Sequence, residues 1–416
     1  MKKIVYIDDI SYEGAGVAKA DGKVVFVPKV LVGETVEISI AKDNSSYSIG
    51  KLENVVVESK ARKNAECPYY DVCGGCDFQH CKYEKEIELK KYILSKELSK
   101  VGFCGEIEFV CADNRFGYRN KIKLEIRNNV LGYFKAKSHE FFKIEKCPIA
   151  TEKINSVLSL IQDYLKVQQF KNLKNIYIKQ VAGEIGICFL FDKNSQKMHE
   201  KFKKYEKLNN FSIFYAYGDI LESNKTKVFC VQGAEKLIKK YKNFNLETEI
   251  SAFNQINDEI AEKLYRCVLN EVNGKRIVNA YSGQGLLTAL ASETAKFVYG
   301  IEYQQSAHIA AQKLTHLKNN VENICGKVED KLFQILLRDK IDLIILDPAR
   351  EGCQKSVLEA INNQKIQKIV YISCNFSTLT RDLIIFKEKY DIENIKIFDM
   401  FPCTANMEVV AVLSRK

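Results

Sequence analysis

The chain has 416 residues, of which 46% are hydrophobic and 28% charged, with 63 Lys and Arg against 53 Asp and Glu. This length exceeds one ordinary core and predicts about two to four domains, and the composition is that of a globular protein. No apolar run approaches the roughly 20 residues that span a membrane, and the N-terminus turns acidic early, so neither a membrane span nor a secretory signal is expected.

The formal net charge of +10 and the 14 cysteines limit the setting in which the protein works. A positive charge suggests a polyanionic partner such as nucleic acid, although a general abundance of lysine explains it equally well. Without a secretory signal, we expect a cytoplasmic location in which the cysteines stay reduced and free for ligation or catalysis.

Residues 1–58 predict a small all-β domain. Short β-branched runs are separated by Gly, Asp-Gly and Asn turns, and they are KKIVYIDDIS, GAGVAK, KVVFVPK, ETVEISIAK and NVVVES. About five such strands favour a small barrel of the OB kind, which often presents a face to oligonucleotides. A purely structural β-module is the alternative.

A cysteine-rich connector follows the predicted barrel. Its C-x5-C-x2-C spacing, together with a distant fourth cysteine, is formed by Cys67, Cys73, Cys76 and Cys147. Zinc sites usually contain two C-x2-C pairs or histidines, so a single pair with two outlying cysteines favours an all-cysteine iron–sulfur cluster. The nearby His80 and Cys81 keep zinc open as an alternative.

Residues 59–245 predict an α+β central domain. The helical stretch YEKEIELKKYILSKELSK precedes strand-like runs such as KIKLEIRNN, VLGYFKA and NIYIKQVAGEIGICFLF, with one further helix candidate, TEKINSVLSLIQDYLKV. Residues 246–416 then alternate apolar strands with amphipathic helices, which predicts a mostly parallel, doubly wound α/β sheet. Ligands of such sheets bind at the carboxyl ends of the strands.

Two loops of the C-terminal domain predict a nucleoside-bearing cofactor. SGQG follows the strand RIVNAY, and Glu302 closes the next strand, 19 positions after Gly283, where a carboxylate can accept from both ribose hydroxyls. A lone G-x-G is a weak signal, and structural glycines are the alternative. Asp347 ends the strand IDLIIL and is placed to meet polar groups of cofactor or substrate, unless it only caps a helix.

Two further residues point to covalent chemistry. Cys374 follows the apolar strand KIVYIS, where a thiol of lowered pKa would be a nucleophile. Glu408 lies just before a buried strand, where a desolvated carboxylate can act as a general base. A thiol, a base and a nucleoside cofactor on one sheet suit covalent catalysis on an electron-poor ring.

In this order, the motifs resemble those of the bacterial RNA uracil-5 methyltransferases, which form 5-methyluridine from S-adenosylmethionine. Residues 3–58 resemble a TRAM domain. The central and C-terminal domains resemble the family in CPYYDVCGGCDFQH, YRNKIKL, GYFKAKSHE, KCPI, SAFNQIN, NAYSGQG, LDPAREGC, YISCNFSTLTRD and DMFPCTANMEVV. The resemblance implies a barrel, a central iron–sulfur domain and a Rossmann-like class I methyltransferase domain.

The resemblance also implies residue roles. Cys374 matches the nucleophile that adds to uracil C6, and Glu408 matches the base that removes the C5 proton. The positions that match cofactor contacts are Gln255, Tyr281, Glu302 and Asp347, with orientation of the uracil as a second role for Asp347. The ligands implied for a [4Fe–4S] cluster are Cys67, Cys73, Cys76 and Cys147.

The resemblance favours 23S ribosomal RNA as the substrate, because bacterial tRNA enzymes of the family usually lack both the TRAM domain and the cluster. The T-loop uridine of tRNA is the alternative, and a monomer is expected. A cytosine-5 RNA methyltransferase would place its nucleophile in a T-C motif, and a non-catalytic RNA-binding iron–sulfur protein would not need both Cys374 and Glu408. Three departures from the family pattern, Asn279, Cys403 and Asn406, bear on cofactor affinity and fine tuning.

Overall fold

A computed structural model describes residues 2–192, 202, 206–218, 221 and 226–416. The first six strands form one sheet in the order β1-β5-β6-β4-β3-β2. They are β1 (Lys2–Tyr6), β2 (Asp9–Ile10), β3 (Gly16–Ala20), β4 (Lys23–Val27), β5 (Thr35–Asp43) and β6 (Tyr47–Val57). Val5 of β1 and Ala18 of β3 share one small core although their strands are far apart in the sheet, so the sheet curls around that core. The predicted all-β N-terminal unit is confirmed.

The central sheet has the strand order β10-β9-β8-β11-β12-β13-β14. Its strands are β8 (Lys121–Arg127), β9 (Val130–Phe134), β10 (Phe141–Lys143), β11 (Leu173–Val181), β12 (Glu184–Phe191), β13 (Ser212–Tyr217) and β14 (Val228–Gln232). Helix α2 (Glu152–Gln168) packs its apolar side on this sheet, and Thr151 caps its first turn by accepting from Ile154 N. A hairpin of β15 (Leu237–Tyr241) and β16 (Phe244–Thr248) follows.

The C-terminal sheet contains eight strands in the order β19-β18-β17-β20-β21-β23-β22-β7. Its strands are β17 (Arg276–Ala280), β18 (Phe297–Glu302), β19 (Val321–Cys325), β20 (Leu343–Leu346), β21 (Lys368–Ser373), β22 (Tyr390–Phe398), β23 (Glu408–Arg415) and β7 (Ile107–Val110). The helices beside it are α1 (Tyr83–Leu98), α3 (Asp258–Leu269), α4 (Leu286–Ala291), α5 (Gln305–Thr315), α6 (Val328–Arg338), α7 (Lys355–Asn363) and α8 (Phe376–Phe386).

Apolar residues alternate between the two faces of the C-terminal sheet, so each face carries its own core. In β20, Leu343 and Ile345 belong to one core, and Ile344 and Leu346 belong to the other. Neighbouring strands from β19 to β21 are parallel, whereas β23 is antiparallel to both β21 and β22. The reversal brings the first residue of β23, Glu408, to the edge where the parallel strands end.

The strand at the far edge of this sheet comes from an early part of the chain. Strand β7 pairs in parallel with β22, and the apolar side of α1 belongs to the core on one face of the same sheet. Both elements lie within the range 59–245 that the sequence assigns to the central domain, so the C-terminal sheet extends across that predicted division. No helix in the described residues is long and apolar enough to cross a membrane.

Candidate active site

Three predicted residues lie at the edge where the parallel strands end. Asp347 follows β20, Cys374 follows β21, and Glu408 begins β23. In the ladder between β21 and β23, Ser373 lies opposite Val409. The next position in this register puts Cys374 opposite Glu408, and directly opposed residues of antiparallel strands have Cβ atoms about 4.5–5.5 Å apart. The candidate nucleophile and the candidate base therefore lie side by side.

The environment of these groups opposes charge. Burial and the nearby Glu408 and Asp347 together raise the pKa of the Cys374 thiol to about 11, although Arg350 acts to lower it. Burial also raises the pKa of Glu408 well above its usual range and the pKa of Asp347 to about 7. The thiol is therefore protonated at neutral pH, and a carboxyl of raised pKa is suited to proton transfer near that pH.

Hydrogen bonds fix the turn that carries Cys374. The Ser373 hydroxyl donates to the Asn375 carbonyl over 2.9 Å, and the Asn375 side chain caps α8 by accepting from Ser377 N over 3.1 Å. Asn375 Nδ2 also donates to the Arg350 carbonyl over 3.0 Å. The turn before α8 and the loop that follows Asp347 therefore form one connected unit.

Two residues of this unit are not among the predicted site residues. Arg350 is the cation whose charge favours the ionised form of Cys374. Asp382 is fully buried and accepts from the Tyr371 hydroxyl over 2.6 Å and from Cys353 N over 2.9 Å, which holds the end of the loop that contains Arg350. A signal for Asp382 exists in the sequence, because it is an acid at an apolar-spaced position of α8.

The glycine loop after β17 and the acid at the end of β18 are in direct contact. Gly283 N donates to Glu302 Oε2 over 2.8 Å, and Gln304 N donates to Glu302 Oε1 over 2.7 Å. A carboxylate retains further lone pairs, so Glu302 can still accept from two ribose hydroxyls. Gly285 has φ +80°, and a Cβ there would lie 2.5 Å from Ala311 Cβ, so only glycine lets the loop approach α5 this closely.

Tyr281 opens this loop with φ +62° and is half-buried. Gln255 lies before α3, and its carbonyl accepts from Asn120 Nδ2 of the central region over 3.0 Å. Two residues earlier, the Phe253 carbonyl accepts from Gln284 of the glycine loop over 2.9 Å. The segment that contains Gln255 is therefore joined to the glycine loop.

Asn279 stands inside β17 rather than in the loop. It is buried, and its Nδ2 donates to the Thr288 hydroxyl over 2.9 Å. This departure from the family pattern is thus accommodated by a side-chain hydrogen bond to α4.

The four cysteines of the predicted cluster site surround one cavity, and we refer to Cys67, Cys73, Cys76 and Cys147 as the cysteine cage. The cavity has a volume of about 370 Å³, and all four residues line it, whereas His80 and Cys81 do not. Within the described residues, no three His, Cys, Asp or Glu side chains are grouped to hold a single metal ion. In a [4Fe–4S] cluster each thiolate binds a different iron, so the ligands surround a volume rather than one point.

Hydrogen bonds to neighbouring residues position the cysteines of the cage. Cys67 N donates to Gln79 Oε1 over 3.0 Å, and Cys147 N donates to Asn155 Oδ1 of α2 over 2.8 Å. Gly75 N donates to Cys73 Sγ over 3.4 Å, the kind of bond that stabilises a ligating sulfur. Burial raises the pKa of each cage thiol, so the thiols are neutral unless cations ionise them.

A lysine from the barrel lies beside the cage. The Lys29 ammonium donates to the Tyr70 carbonyl and lies 4.6 Å from the centroid of the Tyr70 ring. Burial lowers the pKa of Lys29, and Cys73 and Cys76 are close enough to act in the opposite direction. The donor set and the neighbouring cation therefore fit a cluster of negative charge held by thiolates.

Comparisons with known proteins agree with this architecture. The family model for tRNA (uracil-5-)-methyltransferase matches residues 82–416, and the TRAM domain model matches residues 3–52. An uncharacterized RNA methyltransferase of Clostridium acetobutylicum is 30% identical over 445 residues, covering 99% of this chain and 96% of the relative. One from Staphylococcus aureus (strain COL) is 30% identical over 438 residues, covering 98% and 97%.

A solved structure shows the same fold. The tRNA (uracil-54, C5)-methyltransferase of Pyrococcus abyssi, in complex with S-adenosyl-L-homocysteine, aligns with a TM-score of 0.78 at 22% identity. The alignment covers 99% of this chain and all of that one.

The fold and the site define an S-adenosylmethionine-dependent methyltransferase with an N-terminal TRAM domain. The chain belongs to the tRNA (uracil-5-)-methyltransferase family, and it is an RNA (uracil-5-)-methyltransferase. The predicted enzyme class, S-adenosylmethionine as cofactor and an RNA substrate are confirmed. The roles of individual residues and the iron–sulfur cluster stay predictions.

The Arg350→Gln substitution should slow alkylation of Cys374 by iodoacetamide at pH 8 about two- to fivefold, as expected for loss of one partly screened charge interaction. Loss of the positive charge raises the thiol pKa further and so reduces the thiolate fraction. Mass spectrometry of the peptide that contains Cys374 measures the rate. Lys355→Gln, which removes an exposed cation from α7, is the matched control and should leave the rate unchanged. A rate in Arg350→Gln equal to that of the control would contradict the assignment.

Proposed function

We propose that the enzyme methylates C5 of a specific uridine in 23S ribosomal RNA through a covalent bond between Cys374 Sγ and uracil C6. The observation that carries this proposal is the cross-strand register, which puts Cys374 opposite Glu408 at the ligand-binding edge of the sheet. A non-catalytic RNA-binding protein would not need a nucleophile and a base so paired.

The reaction needs both groups because uracil C5 is a poor nucleophile until C6 carries an added group. The Cys374 thiol gives its proton to solvent water, and the thiolate adds to C6, which leaves C5 as an enolate-like carbon. When bound, S-adenosylmethionine would supply an electrophilic methyl group for that carbon, with its S–CH3 bond breaking and S-adenosylhomocysteine as the leaving group. Glu408 then accepts the C5 proton, and the electron pair of the C–H bond restores the C5–C6 double bond as the thiolate leaves.

Other side chains hold the reactants in this scheme. Glu302 accepts from the ribose of the cofactor, Tyr281 and Gln255 line the cofactor site, and Asp347 contacts cofactor or uracil at the end of β20. Arg350 favours the thiolate form of Cys374. The target base cannot reach a pocket at the sheet edge while it is stacked, so the substrate uridine is flipped out of an RNA loop.

The covalent mechanism predicts opposite results for two substitutions. Cys374→Ala should abolish methylation, because no group remains to add at C6. Glu408→Gln should bind RNA and cofactor but trap a protein–RNA adduct, because the C5 proton is no longer removed. Denaturing gel electrophoresis with labelled RNA measures the adduct. Persistent methylation by Cys374→Ala would contradict the covalent step, and Cys267→Ala, which alters a half-buried cysteine in α3, is the matched control.

We further propose that the cysteine cage holds a [4Fe–4S] cluster. The shared cavity, the N–H bond to Cys73 and the barrel lysine support this proposal. Methyl transfer moves no net electrons through the protein, so the cluster has a structural or RNA-orienting role. We also propose domain ranges of 1–58 for the barrel, 59–245 for the cluster domain and 246–416 for the methyltransferase domain, although α1 and β7 of the second range pack with the methyltransferase sheet. A cytoplasmic monomer is proposed as the working form.

Protein purified without oxygen should be brown and contain about four iron and four sulfide ions per chain. Substitution of any one cage cysteine by serine should lower both contents together, whereas Cys81→Ser should not, because Cys81 does not line the cavity. Metal analysis with a sulfide assay measures both. Stoichiometric zinc without sulfide would favour the zinc alternative.

The choice of 23S ribosomal RNA depends on the joint presence of the TRAM domain and the cysteine cage, which bacterial tRNA enzymes of the family usually lack. The tRNA T-loop uridine is the second candidate, and the tRNA enzyme of Pyrococcus abyssi, which aligns along the whole chain, favours it. A basic surface serves either RNA, so charge does not discriminate between them.

Deletion of the gene should remove 5-methyluridine from one or two positions of 23S ribosomal RNA and leave the tRNA T-loop unchanged. Mapping of 5-methyluridine in both RNAs, with and without a plasmid copy of the gene, measures this. A plasmid that encodes the Cys374→Ala protein controls for effects of the protein other than catalysis. Loss confined to the T-loop would transfer the proposal to tRNA.

A further inference from the structure

Residues 399–407 connect β22 to β23 and lead directly into Glu408, and we call this segment the base loop. Its long-range hydrogen bonds come from residues 77–118, outside the strands that carry the rest of the active site. Tyr83 donates to Asp399 Oδ2 over 2.6 Å, and Tyr118 donates to the Pro402 carbonyl over 3.0 Å. The base loop is therefore held by the segment that follows the cysteine cage.

Asp77, directly after the cage residue Cys76, makes two of these bonds. Asp77 N donates to the Cys403 carbonyl over 2.9 Å, and Ala405 N donates to Asp77 Oδ2 over 2.9 Å. Phe78 N also donates to the Cys403 carbonyl over 2.9 Å. Residues 77 and 78, which directly follow Cys76 and which we call the cage segment, thus hold the base loop three to five residues before Glu408.

A buried ionic group holds the same loop from helix α1. Lys90 is fully buried and donates to Glu86 over 2.8 Å and to Asp399 over 2.6 Å. Glu86 also accepts from Cys403 N over 2.8 Å and from Arg115 over 2.6 Å. Because buried charges are stable only when all their partners are in place, this group sets one position for the start of the loop.

The N-terminal barrel packs against the base loop at Ala405 and against Phe78. A Cβ on Gly14, which has φ +79°, would lie 2.9 Å from Ala405 Cβ and 3.0 Å from Phe78 Cζ. The barrel, the cage segment and the base loop therefore pack together with no room for an added methyl group.

We infer that Asp77 is a positioning residue for Glu408: its carboxylate and backbone transmit the position of the cysteine cage to the catalytic base. This inference depends on the proposed role of Glu408 and adds a residue to that mechanism. It gives the cage a function in the reaction without electron transfer, because a correctly formed cage places Asp77 and Asp77 places the base loop.

The test compares Asp77→Ala with Asp77→Asn, whose amide oxygen can still accept from Ala405 N. Asp77→Ala should lower kcat about 10- to 100-fold, as expected for a small displacement of a catalytic group. The KM values for RNA and cofactor should change by less than about twofold, because the binding surfaces are untouched. The covalent adduct should accumulate as in Glu408→Gln, because only proton removal is impaired. Asp77→Asn should keep kcat within about threefold of the unaltered enzyme.

Asp71→Ala is the matched control, because Asp71 is an exposed carboxylate in the same cysteine segment. It should leave kcat and adduct level unchanged. Iron and sulfide contents and thermal unfolding establish that the variants are folded and loaded. If Asp77→Ala loses its iron, Asp77→Ser replaces it in the test, because serine retains a shorter hydrogen-bond acceptor. The ratio of adduct to product in Asp77→Ser should then lie between the ratios measured for Asp77→Asn and Glu408→Gln.

A fall in kcat without adduct accumulation, or no fall at all, would show that Asp77 does not position the base. If Glu408→Gln itself traps no adduct, the proposed role of Glu408 fails. If Glu408→Gln traps the adduct and Asp77→Ala does not, only the positioning inference fails.

Discussion

The insertion of one reversed strand into a parallel sheet is the constraint on which the active site depends. Parallel strands have only their carboxyl ends at the ligand-binding edge of the sheet. Asp347 and Cys374 lie at this edge because each directly follows a parallel strand. Strand β23 runs the other way between β21 and β22, so its amino end reaches the same edge. The candidate base and the candidate nucleophile thereby lie opposite each other at the end of a single ladder.

This close placement has an electrostatic consequence. A thiol and two carboxyls near one another and largely out of water cannot all ionise, and their pKa values rise together. The thiol of Cys374, the candidate nucleophile, is therefore neutral near pH 7. Asn375 donates a hydrogen bond to the backbone carbonyl of Arg350, and the positive charge of Arg350 acts to lower the pKa of Cys374.

Sequence patterns predict the locally encoded parts of this structure. Alternating β-branched runs give the barrel strands, and apolar strands followed by amphipathic helices give the C-terminal sheet. Strand β7 is four residues long and pairs with a strand almost 300 residues later, so no local pattern assigns it to that sheet. The opposition of Cys374 and Glu408 likewise depends on a register that only the folded sheet determines. Arg350, Asp382 and Asp77 gain their roles from contacts across the fold.

Backbone hydrogen bonds explain how the fold accommodates Cys403, one of the departures from the family pattern. The bonds that hold the base loop at this point use the backbone N and carbonyl of Cys403, not its side chain. Cys403 has φ +67°, and its thiol is fully buried, with Sγ 3.6 Å from the Arg115 carbonyl. A change of side chain therefore leaves all three backbone bonds in place, and the geometry that places Glu408 does not depend on the residue that differs.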